Sequence, residues 1–268
     1  MSQPKKHRLG YALQKCYLGL IFFFLYAPIL VLMIYSFNAS PNRGNWEGFS
    51  LRWYQSLLEN DEIMTALFNT ITIAVLAAII STIIGTFAAL VIYRMRRLPK
   101  ALVMQATYLP VLNPDIVTGV ALMMLFIFTK IPLGYVSLLL AHISFCVPFV
   151  ILSILPKLEQ LKSNLYEAAL DLGASPAYAF QKVILPELWP GILTGLIFAF
   201  TLSLDDFVVS FFTTGNGVSN LSIVIYAMAR KGVSPEVNAV STIMFVVVLT
   251  LLAVVNWRMG KNSQGEEA

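Results

Sequence analysis

The sequence predicts an all-α membrane protein with six transmembrane helices, and three observations carry that prediction. Of the 268 residues, 58% are hydrophobic and only 12% are charged, whereas soluble domains sit nearer about half apolar and about a quarter charged. The mean hydropathy is +0.76. Apolar runs recur at about 16–37, 63–93, 101–129, 132–155, 187–212 and 238–258, and roughly 20 apolar residues span a bilayer.

Each run has its own signals. Lys5, Lys6, Arg8 and Lys15 precede the first, as in a signal peptide. That run is longer than the apolar region of about 7–15 residues that a signal peptide carries. It therefore reads as a retained helix, behind a cytoplasmic segment at 1–15. The loop 38–62 holds a turn signal, Asn42-Arg43-Gly44-Asn45, and four aromatics, Trp46, Phe49, Trp53 and Tyr54, expected at the headgroup level. The third run is interrupted twice, at Pro110 and at Asn113-Pro114-Asp115. Proline removes a backbone donor, and broken helix at membrane depth is tolerated where it lines a cavity or is buried in protein. His142, alone in the fourth run, is expected to be a hydrogen-bonded packing residue. The run at 221–229 is too short to span and reads as a re-entrant or surface helix. The residues from Gly260 form a polar, disordered tail, within a cytoplasmic segment at 259–268.

Basic residues set the orientation. With the N-terminus inside, the inner segments hold 13 Lys and Arg and the outer segments 5, so both termini are expected in the cytoplasm. The net charge of +4 follows from these clusters and gives no reason to expect nucleic acid as a partner. Cys16 and Cys146 have no neighbours at metal-ligand spacing and read as small apolar residues. No G-x-x-x-x-G-K-[ST], H-E-x-x-H, G-x-S-x-G or C-x-x-C stands in the chain. No catalytic or metal-binding residue is therefore expected.

The longest polar-rich segment is the inner loop at 156–186. Residues 164–172 form one short helix pattern, which Gly173 suits as a left-handed cap. Ser175-Pro176 opens a second, with Ser as N-cap and Pro at the first helical position, and Pro186 is expected to limit it near Val183. Glu167-Ala168-Ala169, then Gly173, then Val183-Ile184-Leu185-Pro186 resembles the E-A-A-x3-G-x9-I-x-L-P loop of ABC importer permeases, with Val183 in place of Ile. The segments "YAPILVLMIYSFN", "NPDIVTG", "HISFCVPFV", "FTLSLDDFVVS" and "GVSPEVNA" further resemble the inner-membrane permeases of spermidine/putrescine ABC importers, the second of the two permease types in those systems.

That resemblance implies the type I ABC importer permease fold over 16–258, in a bacterial inner membrane. It implies that Glu167, Ala168, Ala169, Gly173, Leu185 and Pro186 dock on a separate ATPase subunit. The small alanines would permit close approach, and Glu167 would meet a basic group. ATP and Mg would be bound there, leaving this chain without a cofactor. A second permease subunit and an extracytoplasmic polyamine-binding protein would complete the system, the latter meeting the loops at 38–62 and 213–236.

Besides Glu187, which sits at the inner end of the fifth run where a carboxylate near a helix N-terminus needs no special function, three acids stand inside apolar runs: Asp115, expected near the bilayer midplane, and Asp205 and Asp206, expected about two-thirds of the way out along the fifth span. An Asp at a helix centre costs about 2.5–3.5 kcal/mol on insertion scales. No Lys or Arg lies within the runs to offset it, apart from Arg258 at the inner end of the last. A polyamine, with two or more ammonium groups on short methylene chains, suits such acids. Tyr108, Phe207, Phe211 and Tyr226 are the aromatics placed to pack the methylenes and attract the charge. In a continuous helix, side chains at 205 and 206 point about 100° apart, so at most one is expected to face the path. An importer of an inorganic anion or of iron would share the docking loop but need not share the acids, and anion transport would leave them hard to explain. A proton-coupled secondary transporter using Asp115 would need no ATPase.

Overall fold

The computed structural model describes residues 5–41, 45–161, 165–231 and 235–264. The turn expected at 42–44, the start of the inner helix at Asn164 and the first residues of "GVSPEVNA" lie outside them. The described backbone is helical apart from loops and one isolated bridge, Asn38 to Phe49. It forms two compact units, one of residues up to Asp61 together with those from Met228 onward, the other Glu62–Ala227.

The first unit holds α1 (Lys5–Ser36), α2 (Arg52–Glu59) and α12 (Pro235–Gln264). Helix α1 packs with α12, and α12 with α2. The helix begins well before residue 16, so the expected N-terminal segment and first span are one element. At the other end, the expected tail at 260–268 is helical through Gln264. Between α1 and α2 the loop winds around Asn38. Its amide donates to the Asn45 carbonyl at 2.8 Å, and its Oδ1 accepts from the backbone of Ser40 and Glu47 at 3.3 and 3.0 Å. The Trp53 indole donates to the Asn38 carbonyl at 2.7 Å, and only 7% of Trp53 is exposed. Trp53 is thus a core residue and not a headgroup anchor: its polar edge finds a partner inside the loop, so nothing is gained by leaving it at an interface. Trp46 and Phe49 remain exposed. Ser56 hydrogen-bonds Glu236 in the first turn of α12, tying α2 to that helix.

The second unit is built on α3 (Asp61–Arg94), α6 (Tyr135–Gln160) and α9 (Leu185–Asp205). Its core joins Ala78, Ala89 and Ile92 of α3 to Val150, Ile154 and Leu158 of α6 and Leu188 and Ala199 of α9. Small residues set the spacing, as in membrane helix packing generally. A Cβ on Gly85 would lie 2.6 Å from Val150 Cγ1; one on Gly195 would lie 3.2 Å from the same atom, and one on Gly191 would lie 3.3 Å from the Ser153 carbonyl. Gly191 and Gly195 form a G-x-x-x-G step against α6.

Among the described residues, four helical segments are long and apolar enough to cross a membrane: Gln14–Ser36, Asp61–Arg94, Tyr135–Gln160 and Pro176–Asp205. Two of the expected spans are broken. In place of a helix over 101–129 stand α4 (Arg97–Leu112) and α5 (Asp115–Phe128), bent by 106°. Pro114 cannot continue the helix, and Asn113, ahead of it, is extended (φ −73°, ψ 144°). The expected span 187–212 divides into α9 and α10 (Val208–Thr213). The apolar part of α12 among the described residues, Pro235–Thr250, is shorter than a span. Helix α11 (Leu221–Lys231) matches the expected short helix.

Candidate functional site

The break between α9 and α10 separates the adjacent carboxylates. Asp205 is the last residue of α9 and is exposed. Asp206 is extended (φ −62°, ψ 125°), so the helix stops before it and its side chain turns back into the protein, 9% exposed. There it takes the orphan amides at the start of α10. Oδ1 accepts from Val209 N at 3.3 Å, and Oδ2 from Ser210 N at 2.7 Å and Ser210 Oγ at 2.8 Å. Asp is among the strongest residues at this task because its oxygens reach free N–H groups that would otherwise stay unpaired. The expectation of two side chains about 100° apart on one helix is corrected: a helix break, not helical phase, parts them.

Around Asp205 the structure gathers aromatics. Phe207 lies 4.5 Å from Tyr226 and 5.7 Å from Phe211, centroid to centroid. Tyr226 and Phe211 are 45% and 52% exposed, and Phe207 follows the exposed acid by two residues. Of the residues expected on a substrate path, Phe207 and Tyr226 are thus in contact, whereas Asp206 is turned inward as a helix cap.

Asp115 sits at the other break, as the first residue of α5, and is exposed. The double interruption read at Pro110 and Pro114 resolves into one bend: Pro110 stays inside α4, and the chain turns at 113–114. Tyr108 is on α4 and 43% exposed. The two breaks are linked by packing. One turn beyond Asp115, Gly119 meets α10 so closely that a Cβ would lie 3.0 Å from the Phe212 ring and 3.3 Å from Val209 Cα. A turn of helix rises about 5.4 Å, so Asp115 stands near this crossing.

Sequence reasoning missed the polar cluster behind the second break. His142 on α6 is 1% exposed and bonded through both ring nitrogens, Nδ1 to Ser203 Oγ at 2.6 Å and Nε2 to Ser210 Oγ at 2.9 Å. The Asn220 amide reaches Ser210 Oγ at 2.7 Å and the Asp206 carbonyl at 3.2 Å. The lone His in an apolar run was the available signal, but its partners lie 61 and 68 residues away.

The inner loop forms as its capping residues require. Helix α7 (Leu165–Asp171) ends at Gly173, which has φ +84°. Gly173 N donates to the Leu170 carbonyl at 2.9 Å and Ala174 N to the Ala169 carbonyl at 3.0 Å. This pair of bonds is the Schellman termination, and its left-handed residue is why glycine stands there. Ser175 caps α8 (Pro176–Ala179) by accepting from Tyr178 N at 3.3 Å. Pro186 does not end this second helix. Residues Phe180–Ile184 widen into a π turn and continue into α9. The wider turn gives Pro186 room where an α-helical carbonyl would meet its ring. Glu167, Ala168 and Pro186 are exposed, Ala169 and Leu185 half-buried. Arg94 at the end of α3 lies over the Tyr166 ring, 5.4 Å from its centroid, and steadies α7. An open apolar depression is lined by Ala169, Leu172, Gly173, Ser175, Tyr178 and Val183, with Leu172 89% exposed.

Comparison with known proteins places these features. The chain is 40% identical over 244 residues to the spermidine/putrescine transport system permease protein PotC of Escherichia coli (strain K12), covering 91% of this chain and 92% of that one. It is 40% identical over 230 residues to the putrescine transport system permease protein PotI of the same organism, covering 83% and 82%. A bacterial ABC transporter that imports the acidic polysaccharide alginate has the same fold, with TM-score 0.73 at 18% identity over 96% of each chain. The MetNI methionine ABC transporter matches with TM-score 0.59 at 17% identity, over 75% of this chain and 97% of that one. The fold is therefore that of an ABC importer permease. The model of the family described as binding-protein-dependent transport system inner membrane component matches residues 81–260, from the core of α3 through the inner loop and both acids of the second break into α12, and the chain belongs to that family.

Proposed function

We propose that this inner-membrane transport component is one permease subunit of an ATP-driven importer of polyamines, spermidine or putrescine or both. One observation carries the choice of cargo: Asp205 is an exposed carboxylate at a helix break, two residues before Phe207, whose ring lies 4.5 Å from that of the part-exposed Tyr226. A flexible polycation meets both needs at once, its ammonium on the carboxylate and its methylenes on the rings. The two 40%-identical permeases whose names specify spermidine or putrescine support this reading. The alginate importer carries a cargo of opposite sign, but at 18% identity it bears on the fold alone.

In this reading Asp115, with Tyr108, is the second acidic station of the path, held near the first by the Gly119 crossing. Asp206 acts on the path through the backbone. Helix α12 supplies the sixth span, and both termini lie in the cytoplasm. The exposed residues around Glu167, Ala168, Ala169, Gly173, Leu185 and Pro186 seat a separate ATPase, where ATP and Mg are bound. A second permease completes the path, and an extracytoplasmic binding protein delivers the cargo. Helical residues run unbroken from Pro176 to Asp205. At about 1.5 Å per residue that rod carries movement of the docking loop to the acid.

Uptake of labelled spermidine by the complex of this chain with its ATPase, second permease and binding protein tests the reading. Competition by unlabelled putrescine and no competition by an inorganic anion are expected. ATP-dependent uptake of an anion in place of spermidine would overturn it.

A further inference from the structure

We propose that His142 is a positioning residue for cargo recognition, holding the second helix break in the one geometry that leaves Asp205 outward. This rests on the reading of Asp205 as the cargo-facing acid.

The hub is the Ser210 hydroxyl, which has one proton to give and two lone pairs. It meets Asp206 Oδ2 at 2.8 Å, His142 Nε2 at 2.9 Å and Asn220 Nδ2 at 2.7 Å. A carboxylate only accepts and an amide nitrogen only donates, so the Ser210 proton goes to Asp206 and its lone pairs take Asn220 and His142. The His142 proton is therefore on Nε2. Its bare Nδ1 accepts from the Ser203 hydroxyl, 2.6 Å away. Every bond then has a single polarity, and a neutral imidazole closes the chain from α9 to α10. Asp206 also lies 3.7 Å from Nε2. Asn220 adds a second tie through the Asp206 carbonyl at 3.2 Å.

The arrangement decides where Asp205 goes. Helix α9 carries Ser203 and, two residues on, Asp205. On the far side of the break, α10 carries Ser210. His142 bonds one residue of each helix, Ser203 on α9 and Ser210 on α10. With its ring replaced by a phenyl group, Ser203 and Ser210 are no longer bridged, and a buried acceptor and donor lose their partner. The register between Asp205 and the Phe207–Tyr226 pair is then unpinned, while the packing volume stays filled.

The experiment measures spermidine uptake against concentration in the full complex. His142→Phe should raise the half-saturating spermidine concentration by about tenfold, a shift typical of losing one well-placed charged contact. The maximal rate should change much less. His142→Gln, whose amide restores a donor toward Ser210, should recover most of the affinity. In an Asp205→Asn background, His142→Phe should add little, because residues acting through one contact are not additive. Should His142→Phe fail to assemble, Ser203→Ala removes only the hydroxyl on Nδ1 and should shift half-saturation the same way. A merely structural role would lower the maximal rate or the amount of complex and leave half-saturation unchanged, which would overturn the proposal. So would full multiplication of the two effects in the double variant. Failure of the parent reading looks different: Asp205→Asn alone would then leave half-saturation unchanged.

Discussion

The two helix breaks are made in opposite ways. At 113–115 the backbone does the work: Pro114 withholds its N–H, the chain turns by 106°, and Asp115 is left exposed at the start of α5. At 205–207 no proline is present. The break exists because the Asp206 side chain offers the first amides of α10 better partners than a continuous helix would offer. The first break is begun by a proline ring and held by the close α5–α10 crossing at Gly119, the second by a hydrogen-bonded cap backed by His142, Ser210 and Asn220. The second is therefore the one that substitution can close, and the one whose geometry can respond to what binds beside it.

The largest effect is expected from Asp206→Leu. It removes three acceptor contacts, leaves buried donors unpaired at about 1–3 kcal/mol each, and favours fusion of α9 with α10. Spermidine uptake should fall below detection, and the yield of assembled complex should fall with it; normal uptake would mean the cap is dispensable. Next comes Glu167→Lys, which reverses the charge of an exposed residue of the proposed docking loop. The ATPase should no longer co-purify, or ATP hydrolysis should persist without transport, while the permease itself stays folded. A smaller effect is expected from Gly173→Ala, which forces a side chain onto φ +84° at a cost of about 1 kcal/mol. Coupling should weaken severalfold in an ATPase-driven uptake assay. The smallest belongs to Pro114→Ala. One proline at an exposed bend is removed, and the extended Asn113 and the α5–α10 crossing at Gly119 still hold the turn. Uptake should fall by no more than about threefold, a change of under 1 kcal/mol. A loss as large as that of Asp206→Leu would erase the contrast between the two breaks.

How much of this was legible in the sequence follows the same division. Features made by backbone chemistry could be read: the break at Pro114, the left-handed Gly173, the Ser175-Pro176 start of α8. Apolar length gave most of the spans. Features made by contact across the fold could not. The partners of the Asp206 side chain, Val209 and Ser210, lie only three and four residues on, but what holds Ser210 there, His142 and Asn220, is distant in sequence. Pro186 misled for a related reason, since the π turn that accommodates it is a property of the joined helix. Trp53 misled because its buried partner, the Asn38 carbonyl, is backbone and carries no signature. The acids and aromatics proposed for the path could be named from the sequence, but which of Asp205 and Asp206 is exposed depends on the break between α9 and α10.

The most direct measurement compares Asp205→Asn with Asp206→Asn, side by side, for assembly and for spermidine uptake. Asn keeps a side-chain oxygen that can cap α10 but carries no charge. The account therefore expects Asp205→Asn to assemble normally and to require a spermidine concentration about tenfold higher for half-maximal uptake. Asp206→Asn should keep near-normal half-saturation and show its defect in the amount or stability of the complex. The reverse pattern, with affinity lost at 206 and unchanged at 205, would contradict it.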